Sequence, residues 1–251
     1  CYSWITSLKT DAGPHTRPTG NISLGMKLVL ALTLVAVGAS VFMTFGYAPE
    51  HRVQGNLQRI FYAHVSTATV CYIAFIIVAI GGAMYLVRRD PKWDRLARAA
   101  ALLGVVFTTI VLLTGCIWGT RVWGACWTWD PRLTTTLVLW FVYVGYLMLR
   151  GYIDEREQKR RIAAIVGIVG AVVVPVNYLS VFWWRTLHPQ STIIVEGGGG
   201  LAPEMLQTLI ATFFAFILLF GLLLRLQVRL ERLSDAAEDL RMAAFAKDGA
   251  Y

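Results

Sequence analysis

The chain has 251 residues, 57% of them hydrophobic and 15% charged, with a formal net charge of +8. A soluble domain carries about a quarter charged residues, so this composition excludes an ordinary water-soluble globule and makes lipid the main solvent. The positive balance reads as the Lys and Arg excess of membrane-protein loops rather than a nucleic-acid surface, because no basic run is interleaved with aromatics for base stacking.

Residues 1–26 are polar and lack an apolar stretch followed by a cleavage site, so no removable signal peptide is expected. A helix that crosses the hydrocarbon core needs about 20 apolar residues. Six stretches supply them, at approximately 27–46, 62–87, 99–118, 134–149, 162–182 and 205–224. None holds Asp, Glu, Lys or Arg away from its ends; the fourth is the shortest and the second the longest. In the fifth, Pro175 with Asn177 marks a kink whose freed carbonyl is satisfied locally. Residues 225–251 mix charges with Leu226, Leu230, Leu233 and Leu240 at helical spacing, which predicts that the last helix runs on beyond the membrane, with a docking face for a partner as the less usual reading. The predicted architecture is an all-α integral membrane protein: an N-terminal segment 1–26, a six-helix domain 27–224 and a helical tail 225–251.

Eighteen of the Lys and Arg residues fall in residues 1–27, 88–98, 150–161 and the tail, against five in the other three connections. That asymmetry predicts both termini in the cytoplasm and connections 47–61, 119–133 and 183–204 outside. With the adjoining helix ends, these outer connections hold Trp118, Trp123, Trp127, Trp129, Trp183 and Trp184, together with His51, His64 and His188.

The segment 118–134 reads W-G-T-R-V-W-G-A-C-W-T-W-D-P-R-L-T. An interfacial aromatic belt accounts for one or two tryptophans per helix end. Four within one outer loop, followed at once by Asp130 and Arg132, favour a binding platform. Indoles offer flat apolar faces, Arg pairs with carboxylates and imidazole binds iron, so the set fits a porphyrin with its propionates and metal. His64 and His188 are each, taken alone, ordinary polar residues near a helix end; together they supply both axial positions of a six-coordinate heme iron. His51 is a weaker candidate, and His15 lies on the other side. Arg59 and Arg132 are read equally as propionate partners and as headgroup-level surface residues. Asp130 either fixes Arg132 or caps the fourth helix, capping being the commoner role.

Of the four cysteines none forms C-x-x-C or C-x-x-C-H, which argues against a thioredoxin-like centre and against covalently attached heme. Cys116 and Cys126 fall on one side and a pairing is open, with scattered free thiols the preferred expectation. The glycine run 197–200 is not a P-loop, because no Gly-Lys-Ser/Thr follows.

On these residues the chain resembles the CcmC heme-handling family of system I cytochrome c maturation over nearly its whole length. The motif W-x-W-D-x-R-L-T at 127–134 is the specific element, the "WWD" loop between the third and fourth helices. The resemblance implies heme b ligated by His64 and His188, a platform of Trp118, Trp123, Trp127, Trp129 and Asp130, and Arg59 and Arg132 close to the heme. It implies a site facing the periplasm from the inner membrane, delivery of heme to the chaperone CcmE, and assembly with CcmA, CcmB and the small protein CcmD. Any ATP work then belongs to a partner, since this chain has no Walker motif. Position 126 departs from the family, with Cys where a further Trp is usual; one wall is thinner, or the sulfur meets the porphyrin edge. Two other readings stand beside this one. A bis-histidine electron-transfer protein is the main alternative, though both imidazoles sit at outer helix ends rather than inside the bundle. A heme channel through the bundle finds little support, since the spans offer only Asn177 and scattered Thr at depth.

Overall fold

A computed structural model of the chain describes residues 23–188 and 200–248. Most of the N-terminal segment, His15, and residues 189–199 of the last outer connection lie outside the described residues. The elements are α1 (Leu24–Phe42), α2 (Arg59–Arg88), α3 (Pro91–Val122), α4 (Pro131–Tyr152), α5 (Arg156–Ala171), α6 (Val173–Trp183) and α7 (Pro203–Asp248). A π-helical turn (Met43–Tyr47) prolongs α1, and a 3-10 turn (Asn56–Gln58) leads into α2. Among the described residues six spans are long and apolar enough to cross a membrane, α5 and α6 forming one of them. The shortest, α4, has 22 residues, and at about 1.5 Å per residue reaches roughly 33 Å, enough for the hydrocarbon core.

The helices outrun the apolar stretches because charged residues at their ends still favour helix. Asp90 and Asp130 cap α3 and α4 by accepting the N–H of Lys92 and Arg132, each followed by a proline at the first helical position. The last helix, rather than the second, is therefore the longest, with 46 residues. The fifth span breaks at Val172, between α5 and α6. Pro175 has no N–H to offer residue 171 and its ring crowds that carbonyl, so the helix ends there.

At the centre α2 packs on α3, α5 and α7, while α1 lies against α7 and turns most of its apolar surface outward. Small residues permit the closest crossings: a Cβ at Gly104 would meet the Phe75 ring at 2.4 Å, and one at Gly82 the Ala164 carbonyl at 2.9 Å. Phe75 in turn stacks on Tyr143 with ring centroids 3.8 Å apart.

The two ends of the bundle differ in chemistry. At the end where α3, α4, α5 and the tail of α7 meet, Arg150 grips Asp94 through two bonds of 2.6 and 2.7 Å, with Arg160 at 3.6 Å. The tail is tied there by Arg98–Glu231 at 2.9 Å, Arg95–Asp235 at 3.2 Å, and Arg156 with Glu238 and Asp239. At the other end lie the tryptophans and a cavity.

Candidate functional site

The start of α2, the end of α3, the start of α4 and the end of α6 enclose a cavity of about 390 Å³, within the usual range for small-molecule sites. Its walls are largely aliphatic and aromatic, from Val65, Leu112, Leu139 and Phe182 among others, and both His64 and His188 line it.

His64 is held by the neighbouring helix. Its Nδ1 lies 2.8 Å from Thr114 Oγ1, and the Thr114 hydroxyl donates to Ile110 O at 2.7 Å. A hydroxyl has one proton; with that spent on the backbone, its oxygen accepts from Nδ1–H. The tautomer so assigned puts the lone pair on Nε2, the form that binds a metal. Gly115 makes room for the ring, since a Cβ there would stand 3.2 Å from His64 Cε1.

His188 is held through Asp130. The carboxylate caps α4 and also accepts from Thr186 Oγ1 at 2.6 Å and Leu187 N at 2.7 Å, while Thr186 Oγ1 accepts the His188 N–H at 3.0 Å. One side chain thus starts a helix and fixes the loop that carries the imidazole. Burial raises the Asp130 pKa, but the bonds from Thr186, Leu187 N and Arg132 N outweigh it and hold the carboxyl below its ordinary value. Burial first, then the charges of Arg132 and His64, push the His188 pKa down from 6.5 to about 4 against the pull of Asp130. The ring is therefore neutral at physiological pH, and its Nδ1 has no hydrogen-bond partner among the described residues.

Arg132 lines the cavity, donating to Tyr178 O and the Tyr72 hydroxyl, both at 3.3 Å. Below it Asn177 closes the floor. Its Oδ1 accepts from Tyr72, and its Nδ2 reaches Arg132 O, Thr135 Oγ1 and Thr136 Oγ1 at 3.0, 2.7 and 2.9 Å. The polar groups at depth bind one another.

Trp118, Trp123 and Trp127 form the aromatic wall. Trp118 meets Trp123 edge to face at 5.1 Å, Trp123 meets the His188 ring at 5.8 Å, and Trp118 Nε1 donates to Gln54 Oε1 at 3.2 Å. Beside them Cys116 and Cys126 are joined in a disulfide. The expectation of scattered free thiols is corrected for this pair: the loop after α3 doubles back and brings Cys126 onto the helix end. Cys71, buried in the core, is free.

The remaining expected residues stand away from the cavity wall. Trp129 is 78% exposed and packs on the outer side of Trp127 at 5.7 Å. Asp130 acts from behind, through the loop. Arg59 lies over the Phe45 ring at 5.6 Å and does not line the cavity. His51 uses Nδ1 to accept the N–H groups of Val53 and Gln54, and so shapes a turn. Sequence context does not single out Thr114, Tyr72 or Asn177 for the site; only Asn177, a lone amide in an apolar stretch, carries a signal, and that signal points to a kink.

Fold and site together define a polytopic α-helical membrane protein with an aromatic, imidazole-bearing cavity at one end of its bundle. The family model described as heme exporter protein C matches residues 15–243, and the chain belongs to that family. It is 35% identical over 237 residues to heme exporter protein C of Haemophilus influenzae, covering 93% of this chain and 96% of that one. It is 38% identical over 185 residues to that of Escherichia coli K12, covering 74% of each, and 34% identical over 212 residues to that of Bradyrhizobium diazoefficiens, covering 84% and 80%.

Proposed function

We propose that the chain takes heme b as cargo at the extracytoplasmic face of the inner membrane and presents it to the chaperone CcmE for c-type cytochrome biogenesis. The observation that carries this is the meeting of His64 and His188 in one apolar cavity, each with a ring nitrogen free of partners among the described residues. The residues fit the group. Imidazoles serve the iron, the indoles of Trp118, Trp123 and Trp127 serve the macrocycle, and Arg132 is the one guanidinium among the described wall residues for a propionate. Relatives named heme exporter protein C support the same cargo.

Placement outside the cytoplasm is supported by two independent features. Lys and Arg concentrate at the opposite end, and a disulfide at the cavity suits an oxidising compartment. The family name points to an exporter assembly, for which we infer CcmA, CcmB and CcmD as partners. The ligands lie at helix ends, where an acceptor can approach, rather than between mid-membrane helices, and this favours handover over the electron-transfer alternative.

The experiment is hemin titration of the purified chain with absorption spectroscopy. Wild type gives a low-spin six-coordinate spectrum, and His64→Ala and His188→Ala each lose it. Unchanged spectra in both variants would remove the ligand pair.

A further inference from the structure

The cavity wall contains a covalent bond that heme ligation by itself does not require. Cys116 stands near the end of α3, Cys126 in the loop toward α4, and both line the cavity. The ring they close contains Trp118 and Trp123. Within it the chain folds tightly: Trp123 N donates to Gly119 O at 2.7 Å, and a Cβ on Gly119 would stand 3.2 Å from the Trp123 ring and 3.3 Å from Ala125 O. Past Trp123 the polar ties stop. Among the described hydrogen bonds none involves residues 124–129, and the buried Thr128 hydroxyl has no partner. Yet this stretch carries Trp127, and its neighbour Trp123 touches His188. A loop that makes no hydrogen bond among the described residues and carries part of a flat wall needs another constraint, and the disulfide supplies a covalent one.

We propose that the Cys116–Cys126 disulfide is the positioning element of the aromatic wall, so that the cavity's hold on a planar cargo depends on the oxidation state of this bond. The inference rests on the heme-binding reading for the identity of the cargo. In the unlocking step a small dithiol attacks the bond. The protein disulfide gains two electrons and two protons to become two thiols, and the dithiol becomes its cyclic disulfide. Cys126 is exposed, so the reductant has access. The His64 ring stays fixed by Thr114, and Asp130 with Thr186 holds the backbone that carries His188, neither through the disulfide; the His188 ring loses only its edge contact with Trp123.

The test uses the full chain in detergent, reduced with dithiothreitol and freed of it before hemin is added. Transfer of hemin to excess apomyoglobin is then timed against the oxidised chain. Reduction is expected to speed release by about tenfold to a hundredfold, since an unpinned loop must be ordered again on binding, with the six-coordinate spectrum retained. The Cys116→Ser/Cys126→Ser variant behaves like the reduced chain. Bridging the reduced thiols with dibromobimane restores slow release, whereas capping them with iodoacetamide does not. In the ligand-free chain, near-ultraviolet circular dichroism from the Trp118–Trp123 pair falls on reduction and returns on bridging. Equal release rates in both forms overturn the inference and leave heme binding standing. A thiolate-ligated spectrum after reduction also overturns it, by making the cysteines ligands. An oxidised chain that takes up no hemin overturns the inference and the heme-binding reading together.

Discussion

The two ends of the bundle solve opposite problems with the same few polar residue types. At the charged end Asp94 meets Arg150 and Arg160, and the tail acids Glu231, Asp235, Glu238 and Asp239 each meet an arginine. At the cavity end, among the described residues, the Arg132 guanidinium meets no carboxylate and leans only on a carbonyl and a hydroxyl. Buried atoms without partners occur at both ends, Trp93 Nε1 and Arg150 Nε at one and Thr128 Oγ1 and His188 Nδ1 at the other, but of these four residues His188 alone lines the cavity. Polar groups left short of partners cost stability unless a ligand completes them. The contrast separates the part of the chain that holds the bundle from the part proposed to hold cargo, and substitutions at the two ends should fail in different ways.

The largest effect on stability is expected from Asp94→Ala. It leaves the buried Arg150 guanidinium without its bidentate partner, and breaking such a pair from one side costs about 3–5 kcal/mol. Thermal unfolding in detergent measures it, and hemin bound by the surviving folded fraction keeps its spectrum. A loss of the six-coordinate spectrum in folded Asp94→Ala would erase the division between the ends.

Thr114→Val tests the cavity end. It removes the acceptor that fixes the His64 tautomer, and such supporting partners are worth about 10–100-fold in affinity. Hemin affinity should fall in that range with little change in melting temperature, and Thr114→Ser should restore it. In the ligand-free chain, nitrogen NMR of His64 should show the proton on Nδ1 in wild type and a tautomer mixture in Thr114→Val.

A smaller effect is expected from pH. His188 is depressed from 6.5 to about 4, so the unfolded chain takes up a proton that the folded chain refuses. Its contribution to stability is complete above about pH 6.5 and is lost as pH falls toward about 4. The slope of melting temperature against pH in that window should flatten in His188→Phe; an unchanged slope would assign the acid lability elsewhere.

The smallest effect is expected from Arg156→Ala. Its partners Glu238 and Asp239 are largely exposed, and surface pairs of this kind contribute little to stability. A large loss would mean that the tail is anchored chiefly here rather than through Arg98 and Glu231.

Much of the fold could be read from the chain because long apolar runs leave few alternatives in lipid. The six spans, the break near Pro175 and the helical tail all follow from local composition. The pairing of two imidazoles was legible for a similar reason: both sit beside aromatic clusters at the same end. What escaped depends on how loops fold back. Nothing in the ten-residue spacing of Cys116 and Cys126 reveals that the loop returns to the helix end. Trp129 follows Trp127 by two positions and points away, which an extended segment dictates and a motif does not. Arg59, five residues before His64, falls off the cavity face of the helix. Thr114 is one hydroxyl among many and gains meaning only from the ring it touches.

In the proposed site His64 and His188 bind one planar iron-bearing ligand between them. Near-infrared magnetic circular dichroism of the ferric hemin complex of the full chain reads the axial ligand pair directly. The expected spectrum is the charge-transfer band of two neutral imidazoles, replaced by a high-spin signature when either histidine becomes alanine. A wild-type band from a single imidazole with water or thiolate opposite it would contradict the claim.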